Sequence, residues 1–248
     1  MKDYKISVIS VYNDQKQFDL ELKASLEQQD IEYELIAIDN TSQRFKSASA
    51  ALNYGAREAQ GDILVFSHQD ISLKGKSALR SFAEAVEACE VGDIIGTQGV
   101  RERSKKIYSN ITAGAEFDST ELRDYTEQLI EVACVDEGFF GMRRETFEEK
   151  EFDEAICNNW HLYCVERSLY ARKNGHKVYV APIQLHHYSY GRISISYMEN
   201  LKELCKEYRN DFKYIWTTCY KVKTNPIYIK LLVSAWILNR KIRGRSLK

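Results

Sequence analysis

The sequence predicts an α/β fold, a mostly parallel sheet between layers of helices, on three observations. Three short apolar runs, 6–11 (ISVISV), 33–38 (YELIAI) and 62–67 (DILVFS), have the β-branched, apolar composition of strands buried on both faces. Helical stretches separate them: Phe18, Leu22 and Leu26 recur every fourth residue, and 48–59 is rich in alanine. Strand–helix–strand alternation at this density implies parallel strands joined by right-handed crossovers.

Each element has its own punctuation. The chain turns polar at Asp14, ahead of the first helix. Asp39, Asn40, Thr41 and Ser42, all turn formers and helix caps, stop the second strand. Gln60-Gly61 ends the alanine-rich helix in the manner of a C-cap glycine. Downstream, 78–89 reads as a helix, 93–98 as a short strand, 105–123 as a loop-rich insertion without a period, and 129–135 as a strand running into Asp136-Glu137-Gly138. A helix is expected at 160–173, with Leu162, Val165 and Leu169 facing inward and Gly175 ending it, then a strand at 178–181. The expected layout is one α/β domain over 1–195 and a helical extension over 196–248.

Composition narrows the class. With 248 residues, 44% hydrophobic and 12% aromatic, the chain can bury a sizeable core and is too aromatic to stay solvated. A net charge of −1 gives no basis for a polyanionic partner, so nucleic acid is not expected. Cys89, Cys134, Cys157, Cys164, Cys205 and Cys219 form neither a CxxC pair nor a zinc-ribbon spacing, and no signal-peptide h-region precedes the first strand. Reduced thiols in a cytoplasmic protein are the expectation. No apolar run reaches the roughly 18 residues of a spanning helix; the longest, 226–238, carries Lys230.

Ligands of parallel sheets bind beyond the carboxyl ends of the strands. Those ends carry Tyr12-Asn13-Asp14, Asp39-Asn40 and His68-Gln69-Asp70, a polar and acidic rim. The ordered blocks ISVISVYND, ELIAIDNTS, NYGAREAQGDILVFSHQDI, VDEGFFGMRRE, EFDEAICNNWHLYCVERSLYARKNGHKVYV and HHYSYG resemble glycosyltransferase family 2 on the GT-A (Rossmann-like) fold. The resemblance is closest to the bacterial branch whose metal motif reads His-x-Asp. It covers about residues 4–192 and rests on the order and spacing of the six blocks.

The resemblance implies a hexosyl- or deoxyhexosyltransferase that moves a sugar, with inversion, from a UDP-, GDP- or dTDP-sugar to a glycan or lipid-linked glycan in bacterial surface polysaccharide synthesis. His68-Gln69-Asp70 resembles the family's DxD motif with its first acid replaced, and Asp70 is then a ligand of Mn²⁺ or Mg²⁺ on the donor diphosphate. Asp39 resembles the acid that accepts hydrogen bonds from base or ribose. Tyr12 and Asn13 fall where the family lines the base pocket, Asn40 is counted with Asp39 among the nucleotide-binding residues, and Asn53 and Arg57 fall where the family's next helix approaches the nucleotide. His187, in His187-Tyr188-Ser189-Tyr190-Gly191, resembles the block that closes over the diphosphate and supplies a further metal ligand; its neighbour His186 reads as structural.

An inverting transferase needs a general base to take the acceptor's proton. The family's base is the Asp of a Glu-Asp pair, and that pair aligns here with Tyr163-Cys164. Asp136 and His161, and behind them Glu166, are the candidates to replace it. Trp160, Phe139 and Phe140 are read equally as a platform for an acceptor sugar or as core. A non-catalytic nucleotide-sugar-binding subunit that escorts an active transferase is the alternative, supported by Tyr163-Cys164; a homo- or a hetero-oligomer is left open. A nucleotidyltransferase is discounted, because 12–16 (YNDQK) lacks the glycine-rich loop that cradles a triphosphate.

The C-terminal segment carries Tyr228, Leu231, Leu232, Ala235, Trp236, Leu238 and Asn239 around an apolar face, with Lys230, Arg240, Lys241, Arg243, Arg245 and Lys248 among and after them. That pattern suits an interfacial helix on an anionic membrane surface. A peripheral position on the inner face of the cell membrane is the expectation.

Overall fold

A computed structural model describes residues 4–103, 106–114, 127–189, 191, 193–244 and 246. Most of the insertion expected at 105–123, and Tyr190, Arg245 and Lys248, lie outside them. The first half runs β1 (Ile6–Tyr12), a helix α1 over 15–26 that passes through a π turn at Asp19–Lys23, β2 (Glu34–Asp39), α2 (Ala48–Glu58), β3 (Ile63–His68), β4 (Ile71–Leu73), α3 (Ala78–Glu87), β5 (Ile94–Gly96) and β6 (Gln98–Val100). There follow β7 (Ile107–Ser109), β8 (Ile111–Ala113), β9 (Ile130–Glu131), β10 (Cys134–Val135), β11 (Phe139–Arg143), α4 (Arg144–Glu149), α5 (Tyr163–Lys173), β12 (Val178–Val180) and β13 (Leu185–His187). The chain closes with α6 (Ile195–Glu207), the hairpin β14 (Tyr214–Trp216) and β15 (Lys221–Lys223), and α7 (Pro226–Ile242).

The central sheet has the order β2-β1-β3-β11-β5-β12-β9. β1 pairs parallel with β2 and β3, and β12 parallel with β5, while β11 and β9 run antiparallel to their neighbours. Period-two alternation sorts side chains onto the two faces. Ile6 and Val8 of β1 and Ile63 and Val65 of β3 meet α1 and α3 through Phe18, Leu22, Leu79 and Phe82. Ile9, Leu64, Phe66 and Phe140 face the other way, against Ala48, Leu52 and Ala56 of α2 and Tyr163 of α5. The result is a three-layer α/β/α sandwich.

Four local expectations need correction. β2 is only half-buried, because it is the edge of the sheet and has a neighbour on one side alone. The α2 helix ends at Ala59 in an extended conformation without a left-handed glycine; Gly61 is required instead because a Cβ there would lie 2.5 Å from the Ser7 backbone nitrogen. The apolar run 129–135 divides into β9 and β10, which join different sheets. α5 begins at Tyr163, after a left-handed Leu162 with φ of 67°; Gly175, with φ of 87°, ends it as expected.

The last fifty residues share a core with α5 and β10: Met198, Leu201, Leu204, Ile215, Trp216 and Ile229 pack on Leu162, Val165, Leu169 and Cys134. They include a β-hairpin between the expected helices. All six cysteines are free thiols. Among the described residues, no helix is long and apolar enough to cross a membrane.

Candidate active site

Three strand connections converge at the carboxyl end of β1 and β3. Asp70 sits in the turn between β3 and β4. β13 pairs antiparallel with β4, setting His187 opposite Ile71, and the Tyr188 backbone N–H donates to the Asp70 carbonyl at 3.0 Å. The pairing brings His187 Nε2 to 3.2 Å from Asp70 Oδ1. His68, at the end of β3, completes the group: one potential ligand atom from each of His68, Asp70 and His187 lies within 4.8 Å of the others.

Burial opposes ionisation of Asp70, yet the hydrogen bond and charge of His187, with His68 behind it, hold its carboxyl well below the usual range. Burial pushes His68 down, towards the neutral imidazole that a metal requires; its Nε2 lies 3.1 Å from the Tyr163 hydroxyl. For His187, burial also favours the neutral form but Asp70 prevails and raises it. One carboxylate and two imidazoles, largely buried and convergent, offer a mixed oxygen and nitrogen ligand set to a divalent first-row cation such as Mn²⁺.

The cluster stands between two cavities that share His68 and Trp160. One, of about 230 Å³, is lined by Tyr12, Asn13, Asn40, Gln69 and Asp70. The other, of about 400 Å³, is lined by Asp136, Glu137, His161, His187, Thr218 and Cys219 among others. The first lies over β1 and β3, where a nucleotide is expected, and the second extends towards α5 and the hairpin.

The expected residues divide accordingly. Tyr12 lines the smaller cavity with its ring stacked on Phe18 at 4.7 Å. Gln69 acts as a brace: its Oε1 accepts from the backbone N–H groups of Asn13 and Asp14, and its Nε2 donates to Asn13 and Gln17. Asn40 lines the cavity while its amide pairs with the Phe45 backbone and fixes the 40–45 turn. Asp39 stands beside Tyr12 in register and is exposed, its Oδ1 accepting from the Thr41 hydroxyl and N–H, which lower its pKa.

Asn53 and Arg57 are not brought to the site. Asn53 is buried, exchanging hydrogen bonds with the backbone of Phe152 and donating to Glu154, and Arg57 pairs with Glu151. The α2 face that carries them is covered by the 151–154 segment. Glu166 is likewise corrected: it is buried away from both cavities, accepting from the Tyr208 hydroxyl at 2.7 Å. Phe139 and Phe140 are core, whereas Trp160 is 41% exposed and lines both cavities. His186 is held by Thr112 and the Gly114 carbonyl, a structural role as expected.

Asp136 lines the larger cavity and accepts from the Thr218 hydroxyl at 2.8 Å. His161 lines it too, with Nε2 3.1 Å from the Ser194 hydroxyl and its ring edge-on to Tyr197; burial lowers its pKa. Cys164 is fully buried and outside the cavity lining. Sequence reasoning missed Glu137, the Tyr163 hydroxyl and the 217–219 loop. The acidic pair after β10 was the available signal for Glu137; the hairpin loop is placed by tertiary packing and has none.

The fold is that of the GT-A glycosyltransferases. GalNAc-T7, solved with UDP, GalNAc and Mn²⁺, superposes with a TM-score of 0.60 at 12% identity, over 82% of this chain and 48% of its own. Staphylococcus aureus TarS 1–349, solved with UDP-GlcNAc, gives 0.57 at 14% identity over 95% and 72%. The mannosyltransferase PcManGT from Pyrobaculum calidifontis, solved with GDP-Man and Mn²⁺, gives 0.55 at 14% over 95% and 70%. This chain thus spans about half the length of GalNAc-T7. No curated protein sequence matches it. Residues 7–212 match the Glycosyltransferase like family, and the chain belongs to that family.

Proposed function

We propose that this protein transfers a sugar from a nucleotide donor, of the UDP, GDP or dTDP type, to a hydroxyl of a glycan or lipid-linked glycan, with inversion. The observation that carries this reading is the His68–Asp70–His187 cluster at the junction of the two cavities. Asp70, His187 and His68 would hold a divalent cation, Mn²⁺ or Mg²⁺, and a cation bound there supplies Lewis-acid neutralisation of the diphosphate. Tyr12, Asn13 and Asn40 line the smaller cavity, which suits the nucleoside, with Asp39 beside it. Trp160 spans the junction, where a sugar ring can stack on it. Asp136 and Thr218 in the larger cavity offer polar contacts to the transferred sugar and the acceptor.

Family membership and three GT-A neighbours solved with nucleotide sugars or nucleotides support this reading. A role in bacterial surface polysaccharide assembly follows from the resemblance to the His-x-Asp branch, and α7 suits a lipid-linked acceptor at the inner membrane face. The alternative, a non-catalytic nucleotide-sugar-binding subunit, draws on the thiol at Cys164. Slow donor hydrolysis separates the two. The protein with Mn²⁺ should release nucleoside diphosphate from one member of a panel of UDP-, GDP- and dTDP-sugars, and a chelator should stop it. Donor binding without any release would favour the subunit.

A further inference from the structure

A carboxylate is missing from the position where the family keeps its base, and a second carboxylate stands nearby. Glu137 follows β10 and lines the larger cavity with Asp136. Its Oε1 is buried and has no hydrogen-bond partner among the described residues, a costly state unless something else uses that oxygen. The backbone N–H groups of Leu162 and Tyr163, at the start of the eleven-residue α5, favour its ionised form. Of the charges acting on the Cys164 thiol, that of Glu137 is the largest. An Asp at 164 beside Glu137 would be a like-charge pair in a buried site; a neutral thiol relieves it.

The rival groups are less free. Asp136 Oδ2 is engaged by Thr218, and His161 Nε2 by Ser194. Cys164 is buried outside the cavity, and burial pushes its thiol up. Glu166 is tied to Tyr208.

Resting on the transferase reading above, we propose that Glu137 is the general base, the role the family gives to the position of Cys164. The acceptor O–H bond breaks and its proton passes to Glu137 Oε1. The oxygen's electron pair forms the new bond to the anomeric carbon from the face opposite the leaving group. The bond from that carbon to the diphosphate oxygen breaks, and its electron pair departs with the nucleoside diphosphate. Water takes the acceptor's place in donor hydrolysis.

Burial, reinforced by Asp136, raises the Glu137 carboxyl above the ordinary range, and the backbone N–H groups of Leu162 and Tyr163 oppose that rise. The other ionisable groups that feel its charge are thiols (Cys134, Cys157, Cys164, Cys219) and phenols (Tyr163, Tyr197), all pushed up and so uncharged near neutral pH. Asp136 is its charged neighbour.

The test is nucleoside diphosphate release from UDP-glucose, UDP-GlcNAc, GDP-mannose and dTDP-rhamnose with Mn²⁺, together with donor affinity by calorimetry. Glu137→Gln keeps the shape and loses the basic oxygen. Release should fall by about 100-fold or more, with donor affinity within about threefold of wild type and smaller losses in Asp136→Asn and His161→Ala. Release by Glu137→Gln within about threefold of wild type would overturn the assignment. If that variant melts below the assay temperature, Glu137→Asp decides: a displaced ascending limb of its pH–rate profile supports the base, and a limb superposed on wild type overturns it. A wild type that releases no diphosphate, whether or not it binds donor, overturns the transferase reading and the base assignment with it; a wild type that does release it leaves that reading standing, and Glu137→Gln then decides the base assignment alone.

Discussion

At the scale of single residues, the same chemistry serves two purposes in this chain. Asp70 and Glu166 are both buried carboxylates, yet Asp70 meets imidazoles at a cavity junction while Glu166 meets a phenol in the core. Asn53 makes the distinction testable. Its amide satisfies both backbone groups of Phe152, so Asn53→Ala strands a buried N–H and a buried carbonyl. The expected cost is about 2–4 kcal/mol of stability, read by urea unfolding, with donor affinity unchanged. A large loss of donor affinity at unaltered stability would return Asn53 to the nucleotide site. The sequence alone could not separate these roles, because which side of α2 is covered depends on a segment a hundred residues further on.

At the scale of elements, what was legible followed the local code. β1 and β3 and the Phe18–Leu22–Leu26 stripe are visible because burial on both faces, or on one helical face, leaves a period in the sequence. β2 misled because an edge strand keeps the same apolar letters. Gly61 misled because a close backbone approach to Ser7 looks, in one dimension, like a helix stop. α7 shows a finer division: Ile229, Leu232, Val233 and Trp236 dock on the core. Ile227, Leu231, Leu238 and Ile242 form the opposite stripe, Leu231 being 65% and Leu238 59% exposed. Lys230 and Lys241 flank that stripe, and basic side chains near an anionic leaflet contribute about 1 kcal/mol each. Leu231→Glu with Leu238→Glu should abolish sedimentation with phosphatidylglycerol-rich vesicles while leaving donor hydrolysis in solution intact. Undiminished vesicle binding would remove the membrane role from this helix.

At the scale of the whole molecule, the sheet delivers His68 and Asp70, and the smaller β4-β13-β8 sheet delivers His187. Neither alone makes the site. The smaller cavity and the His68–Asp70–His187 cluster were readable because their residues lie at strand ends in the first seventy positions and in one closing block. The larger cavity was readable only in part: Asp136, Trp160 and His161 are visible in the sequence, but Glu137 and the hairpin loop join them only through the core shared by α5 and α6. The central claim is that the two sheets together hold a cation for the donor diphosphate. Calorimetric titration of the matching nucleoside diphosphate into wild type and Asp70→Ala, each with saturating Mn²⁺, tests it most directly. The account predicts binding that needs Mn²⁺ in the wild type and is weakened at least about 100-fold, by roughly 2.7 kcal/mol, in the variant. Equal affinity in the two proteins, or wild-type binding indifferent to Mn²⁺, would contradict it.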